Sequence, residues 1–374
     1  MRRILIFANT HYQIILAIQM KLTIFSEDDV TLAISNHSGH ADTVCERLQR
    51  RAVFQNCVFV ESKGMIHNRS RQEKLKEFFE IIYGKKNRYS FYLKDIENKY
   101  FDEMLFYNLE IDTYGIYSIL AEYNHKLVFS SYEEGILSYE NIFYDSLKFK
   151  WIRFLRKCIG KSAILDNYHK FYCVYPEMYA GRLNTVQIPQ ISTSDNRMRT
   201  ILADIFRINR DVDYKKYKYI KIPHHGTEIF FESIYETEGR GIGETEILMQ
   251  LAEKVGKDNI LVKKHPRSTV HIFEEKGIAV DTNSSAPFEA IQLNNDMSDC
   301  IFVAATSGSV LSVNSIVDKP SKVILFYPLT AYQNIPELCT FTQHVGDVVA
   351  AFQKKGQMRH VTIVKSFDEM LEIK

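Results

Sequence analysis

The sequence predicts an α/β protein built from two Rossmann-like domains facing a cleft. Three observations carry that expectation. Short apolar runs alternate with segments of helical periodicity, as in βαβ units that feed parallel sheets. The chain has 374 residues, more than one ordinary core holds and enough for two domains of about 150–200 residues each. Three short polar motifs each follow an apolar run, the position at which open α/β sheets build ligand sites.

The elements follow in order. Ile4–Ala8 reads as a buried strand, and Asn9-Thr10 as the cap of a helix over His11–Leu22, with Ile14, Ile15, Ile18 and Leu22 at helical spacing. Val30–Ser35 is a strand, Ala41–Arg51 a helix and Cys57–Val60 a strand. Ser70–Tyr83, Ile96–Tyr107 and Thr113–Tyr123 read as helices, the last feeding a strand at Lys126–Phe129. Periodicity then becomes irregular, and 139–180 reads as an insertion or lid on the first domain. Met198–Ile208 is helical, and the charged stretch Asn209–Tyr217 is the expected linker. A second series begins with strand Tyr219–Ile222, helix Glu244–Val255 and strand Ile260–Lys264. It continues with strand Ile278–Val280, helix Pro287–Leu293, strand Ile301–Ala305, helix Val310–Ile316 and strand Lys322–Phe326. The expected domains are therefore 1–210 and 211–344, followed by a helical tail, 345–374, that packs back on the first domain. Two Rossmann-like domains facing a cleft is the GT-B arrangement, shared by glycosyltransferases, some epimerases and phosphorylases, so fold alone leaves the function open.

Composition narrows the classes. Hydrophobic residues make up 45% and charged residues 25%, and the net charge is +1. That balance excludes a general polyanion binder, so no nucleic-acid partner is expected. The 22 Tyr and 24 Phe suit sugar recognition, although AT-rich genomes also inflate these residue types. Six scattered cysteines lack any CxxC pairing, which speaks against a metal site or disulfide framework and for a reducing compartment. No run of about 18 apolar residues occurs, and Ile4–Ala8 is too short for a signal peptide core. The reading is a cytoplasmic protein.

The first motif, Glu133-Glu134-Gly135, offers a carboxylate that can act as general base, and adjacent acids raise one another's pKa. It is also ordinary turn chemistry. The second, His265-Pro266-Arg267, places an imidazole and a guanidinium where a phosphate oxygen can be held. The third, Thr306-Ser307-Gly308-Ser309, opens a helix whose free N–H groups favour an anion, with Gly308 permitting close approach. An ordinary N-cap has the same composition. Glu289, at another helix start, can accept from ribose hydroxyls. Pro223-His224-His225-Gly226 reads as a strand-end turn in which His225 contacts donor or acceptor. Asp211-Val212-Asp213 matches the metal-binding DxD pattern but lies in the linker, so no metal is expected. Leu147–Lys161 forms a basic amphipathic helix. On it Trp151, Phe154, Leu155 and Cys158 share one face and Lys150, Arg153, Lys157 and Lys161 the other, a pattern found at anionic membrane surfaces and also on helices docked to a core.

The order acidic-acidic-Gly, His-Pro, then a serine-bearing helix start resembles bacterial GT-B sialyltransferases: the lipooligosaccharide enzymes of glycosyltransferase family 52 and the capsular polysialyltransferases. Asn9-Thr10-His11-Tyr12-Gln13 is similar to their Thr-x-x-Gln stretch. The resemblance spans positions 9 to about 311. It implies Glu134 as base, with Glu133 as second choice, and His265, Ser307 and Ser309 on the phosphate of CMP-sialic acid. It further implies Glu289 on the ribose and the Asn9-Thr10 stretch near the donor; His225, Arg267, Thr306 and Gly308 join the donor site on the reading of their own motifs. Some family 52 members take their base from the loop that here reads Pro223-His224-His225. The implied reaction needs no cofactor: sialic acid moves from CMP-sialic acid to a galactoside of a capsular or lipo-oligosaccharide glycan, with inversion. A GT-B transferase using a UDP- or GDP-sugar and a non-catalytic capsule-assembly protein are the alternatives.

Overall fold

The computed structural model describes residues 1–62, 70–84, 88–139, 147–222, 243–264, 271–283, 285–306, 310–311 and 315–373, without the side chains of 137, 333 and 336–338. The chain divides into two compact units, Met1–Pro189 and Gln190–Lys374. The division falls some twenty residues before the charged stretch in which the sequence reading placed the linker.

The first unit contains β1 (Arg3–Ala8), α1 (His11–Leu22), β2 (Asp29–Ser35), α2 (Ala41–Arg51), β3 (Asn56–Val60), α3 (Arg71–Tyr83), β4 (Glu103–Phe106), α4 (Ile111–Leu120), β5 (Val128–Tyr132), α5 (Leu147–Cys158), β6 (Tyr168–Cys173) and β7 (Asn184–Gln187). Its seven strands run in the order β3-β2-β1-β4-β5-β6-β7, with every pairing parallel. The order reverses between β1 and β4, the switch point at which such sheets open a crevice. Ile4, Leu5, Ile6 and Phe7 are buried, as a central parallel strand covered on both faces requires.

The second unit contains α6 (Asn196–Phe206), β8 (Tyr219–Lys221), α7 (Glu244–Val255), β9 (Ile260–Val262), α8 (Ile272–Glu275), β10 (Ala279–Val280), α9 (Phe288–Asn294), β11 (Ile301–Ala304), β12 (Lys322–Leu325), α10 (Pro336–Lys354), β13 (Val361–Ile363) and α11 (Phe367–Glu372). Its six-stranded sheet has the order β10-β9-β8-β11-β12-β13. All its pairings are parallel, and β8 beside β11 is the switch point. The α/β class and the pair of Rossmann-type parallel sheets are thus as the sequence predicts.

Three segments differ from expectation. Ile96–Tyr107 is not a helix: its end forms β4, pairing with β1 and β5. Four residues buried on both faces carry no alternation, so their apolar spacing imitates a helix. The region 139–180, expected to be an insertion, supplies α5 and β6, and β6 is an integral strand between β5 and β7. The tail does hold the expected helices, the end of α10 and α11, but between them it also contributes β13 to the second sheet beside β12. The helix expected at 310–316 lies only partly within the described residues.

Candidate functional site

In the first unit the residues after β1, β4 and β5 meet at the carboxyl edge of the sheet. Thr10 caps α1: its side chain accepts from Gln13 N, while Gln13 Oε1 accepts from the backbone N–H groups of Asn9 (2.6 Å) and Thr10 (3.3 Å). This is a capping box, with a Gln three residues after the Thr. It clamps the Gln13 amide by its oxygen. Gln13 is fully buried, and its Nε2 has no hydrogen-bond partner. Asn108, just past β4, likewise buries an unpartnered Oδ1. Buried polar atoms left unpaired cost about 1–3 kcal/mol each, and two beside a switch point suit a polar ligand or water. Asn9 is held in turn by Ser35 Oγ, which donates to its Oδ1 (2.7 Å), and its Nδ2 donates to Tyr107 (3.2 Å).

The two adjacent acids are separated by their surroundings. Glu133 is 1% exposed. Its carboxylate accepts from Tyr12 Oη (2.5 Å), from Tyr139 Oη and from the Val174 N–H (2.9 Å). Burial raises its pKa while those three donors pull it down. It fastens β5 to α1 and to the residue after β6. Glu134 reaches solvent at residue level, yet its carboxyl end is crowded by protein. That desolvation, with the charge of Glu110, pushes its pKa up to about 7, and the Gln13 side chain pulls against the rise. The Gln13 amide is close enough to favour the carboxylate without meeting hydrogen-bond geometry. Gly135 takes φ 123°, a conformation side chains rarely adopt. With the Glu134 N–H donating to Ser138 Oγ (2.7 Å), it turns the chain directly after the acids.

Sequence reasoning missed Gln13 as a contact of Glu134, and Glu110 and Asp112 as neighbouring acids. Glu110 and Asp112 both have raised pKa values, chiefly through desolvation. The Thr10-x-x-Gln13 spacing was a legible signal of the cap. The proximity of Glu110 to Glu134 was not legible, because it depends on β4 lying beside β5.

In the second unit the carboxyl edge collects buried charge. Lys263 follows β9 and is 3% exposed, and Glu289 in the first turn of α9 is 4% exposed. Burial pushes Lys263 down to about 8, opposed by Asp281 and Glu289. Burial pushes Glu289 up to about 7, opposed by its own backbone N–H and by Lys263. Asp281 follows β10 and accepts from Tyr214 Oη (2.9 Å) and the Asn283 N–H (2.9 Å). Thr306, past β11, is also buried. Lys221 ends β8 and pairs with Glu244 at 3.2 Å, both nearly fully buried. His225, His265, Arg267, Ser307, Gly308 and Ser309 lie outside the described residues. Asp213 of the DxD-like triplet caps a turn, accepting from the Lys215 N–H (3.2 Å). Among the described residues no group of three or more His, Cys, Asp or Glu could hold a metal ion.

No protein-family model matches the chain, and no curated protein matches it. Similar solved structures include a UDP-N-acetylglucosamine 2-epimerase, at 12% identity over 87% of this chain and 79% of that one, with a TM-score of 0.44. The MurG of Acinetobacter baumannii is 10% identical over 87% and 78%, with a TM-score of 0.38. Arabidopsis thaliana UGT89C1 complexed with UDP is 11% identical over 87% and 80%, with a TM-score of 0.46. Similarity this low assigns no chemistry to the chain.

Proposed function

We propose that the protein is an inverting, metal-independent GT-B glycosyltransferase, and specifically a sialyltransferase that moves sialic acid from CMP-sialic acid to a galactoside of a capsular or lipo-oligosaccharide glycan. The observation that carries the reading is Glu134: an exposed residue whose desolvated carboxyl has its pKa pushed up to about 7, past β5 and beside the switch point of the first sheet. A base works best with a pKa near the operating pH. In the proposed step Glu134 takes the proton of the acceptor hydroxyl. The freed oxygen attacks the anomeric carbon of sialic acid, and the bond to the phosphate oxygen of CMP breaks on the opposite face. One new glycosidic bond replaces one glycosyl–phosphate bond, and configuration inverts.

CMP carries a single phosphate, so side-chain donors and helix N–H groups can stabilise its departure without a divalent ion. His265 and the 306–309 segment are the sequence-derived candidates for that task. Lys263, two residues before His265 in the sequence, brings a buried positive charge to the end of β9. Glu133 acts in this reading as a positioning residue, because its carboxylate is already engaged by three donors.

The test is incubation with CMP-sialic acid and a panel of galactosides, read by mass. A product heavier by one sialyl residue is the expected result. Thermal shift with CMP, UDP and GDP provides the control, since a ligand bound only by the native state raises its stability. Stabilisation by UDP or GDP alone would move the protein to a different donor, and stabilisation by none of them would favour a non-catalytic role.

A further inference from the structure

Ten large hydrophobic side chains are exposed among the described residues, and seven of them lie on or beside α3 and α5. On α3 they are Leu75, Phe79 and Tyr83, spaced by four as one outward stripe. On α5 they are Leu147, Trp151 and Phe154, again at helical spacing, and Ile159 follows just past its end. The opposite side of α5 faces inward through Ile152, and Phe149 stacks on Tyr114 with ring centroids 4.3 Å apart. The aromatic face that the sequence suggested could dock on the core therefore points outward instead.

The two helices form one rigid platform. Arg156 is buried and donates to the Ile81 (2.7 Å) and Ile82 (3.1 Å) carbonyls, which closes the end of α3. Lys161 reaches the Tyr83 carbonyl (2.7 Å) and Glu122 (2.5 Å). A guanidinium and an ammonium on helix-end carbonyls are favourable for hydrogen bonding and for the dipole. Two of the basic residues on this segment are thus structural. The exposed charges that remain on α5 include Lys150, Arg153 and Lys157. Arg153 and Lys157 share the single acid Asp166. The twelve residues of α5 contain five basic and no acidic side chains, in a chain whose net charge is only +1.

We infer that the α3–α5 face is a docking surface for an anionic lipid bilayer. Apolar stripes fringed by basic side chains match the acyl boundary and charged headgroups of such a surface. A second copy of this chain is a poorer fit, because a two-fold interface would set the same basic fringe against itself. No helix among the described residues is long and apolar enough to cross a membrane, so the attachment is to one leaflet. It is independent of which donor the enzyme uses.

Trp151 is the only tryptophan in the chain, so its emission reports this surface and nothing else. The experiment mixes the protein with vesicles of phosphatidylcholine and phosphatidylglycerol at low salt. Trp151 emission shifts to the blue and is quenched by brominated acyl chains. Raised salt, or vesicles of phosphatidylcholine alone, weakens the effect, because screening removes the charge contribution. Leu75→Ser with Phe79→Ser lowers vesicle affinity at least about tenfold, since two side chains lose their apolar burial. Lys150→Gln, Arg153→Gln and Lys157→Gln together do the same and weaken the salt dependence. All five residues are exposed, and circular dichroism checks that each variant is folded. Unchanged Trp151 emission with anionic vesicles at low salt overturns the inference. So does sedimentation that shows a dimer broken by Leu75→Ser and Phe79→Ser without vesicle binding.

Discussion

Replacing Glu134 by Gln removes a carboxyl whose pKa of about 7 comes first from desolvation and then from Glu110. If this group is the base, rate follows its ionised fraction. With a pKa of about 7, roughly one tenth of the enzyme is competent at pH 6 and roughly nine tenths at pH 8, whereas an ordinary Glu would be almost fully ionised throughout. Wild-type kcat/KM at low acceptor concentration should therefore climb several-fold across that range. Glu134→Gln should lose about 10²–10⁴-fold in kcat, keep CMP binding and show no such climb. Stability supplies an independent readout. A carboxyl with a raised folded-state pKa contributes stability that is present below its unfolded pKa, near 4.5, and lost as pH rises through about 7. Wild type should lose stability relative to Glu134→Gln over that window. The assay is sialyl transfer followed by mass across pH 5.5–8.5, as an approximate working range, with chemical denaturation at matching pH. A flat wild-type profile together with near-wild-type activity of Glu134→Gln would refute the assignment of the base.

Gln13→Glu should keep the capping box, because a carboxylate accepts from the Asn9 and Thr10 N–H groups as the amide oxygen does. It should nevertheless move the acid limb of the pH–rate profile upward, since a negative charge replaces the amide beside Glu134. An unmoved limb means that Gln13 serves only the helix. Glu133→Ala should lower stability by on the order of 3 kcal/mol, because Tyr12, Tyr139 and the Val174 N–H lose their shared acceptor. Calorimetry checks this, and an unchanged Tm would contradict it. Transfer should survive EDTA, and loss of activity restored by Mn²⁺ or Mg²⁺ would contradict the metal-independent chemistry.

Local periodicity and capping chemistry were enough to delineate much of the framework. The helices at His11–Leu22, Ala41–Arg51 and Glu244–Val255 were legible because apolar spacing and length agree within one short window, with the Thr10 cap adding a start signal to the first. The alternation of strand and helix also announced two parallel sheets. The short central strand β4 was not legible, since burial on both faces erases the alternation that marks a strand. Nor was β6, whose Tyr168–Cys173 run mixes polar and aromatic residues and becomes a strand through its neighbours β5 and β7.

The candidate base shows the same division. Glu133 and Glu134 are chemically identical neighbours, and their own chemistry marks a strand-end acid pair without ranking them; only the resemblance put Glu134 first. The fold gives them different surroundings: Tyr12 on α1, Tyr139 and the Val174 N–H close around one carboxylate, while desolvation and Glu110 raise the pKa of the other. On α5 the sequence determined an amphipathic, basic helix. Only the buried Arg156 clamp and the packing of Ile152 decided that Trp151 and Phe154 face outward. Secondary structure and motif order are written in residues close along the chain. Which of two equal side chains is free, and which face of a helix is left uncovered, depends on groups dozens of residues away that only the tertiary structure brings together.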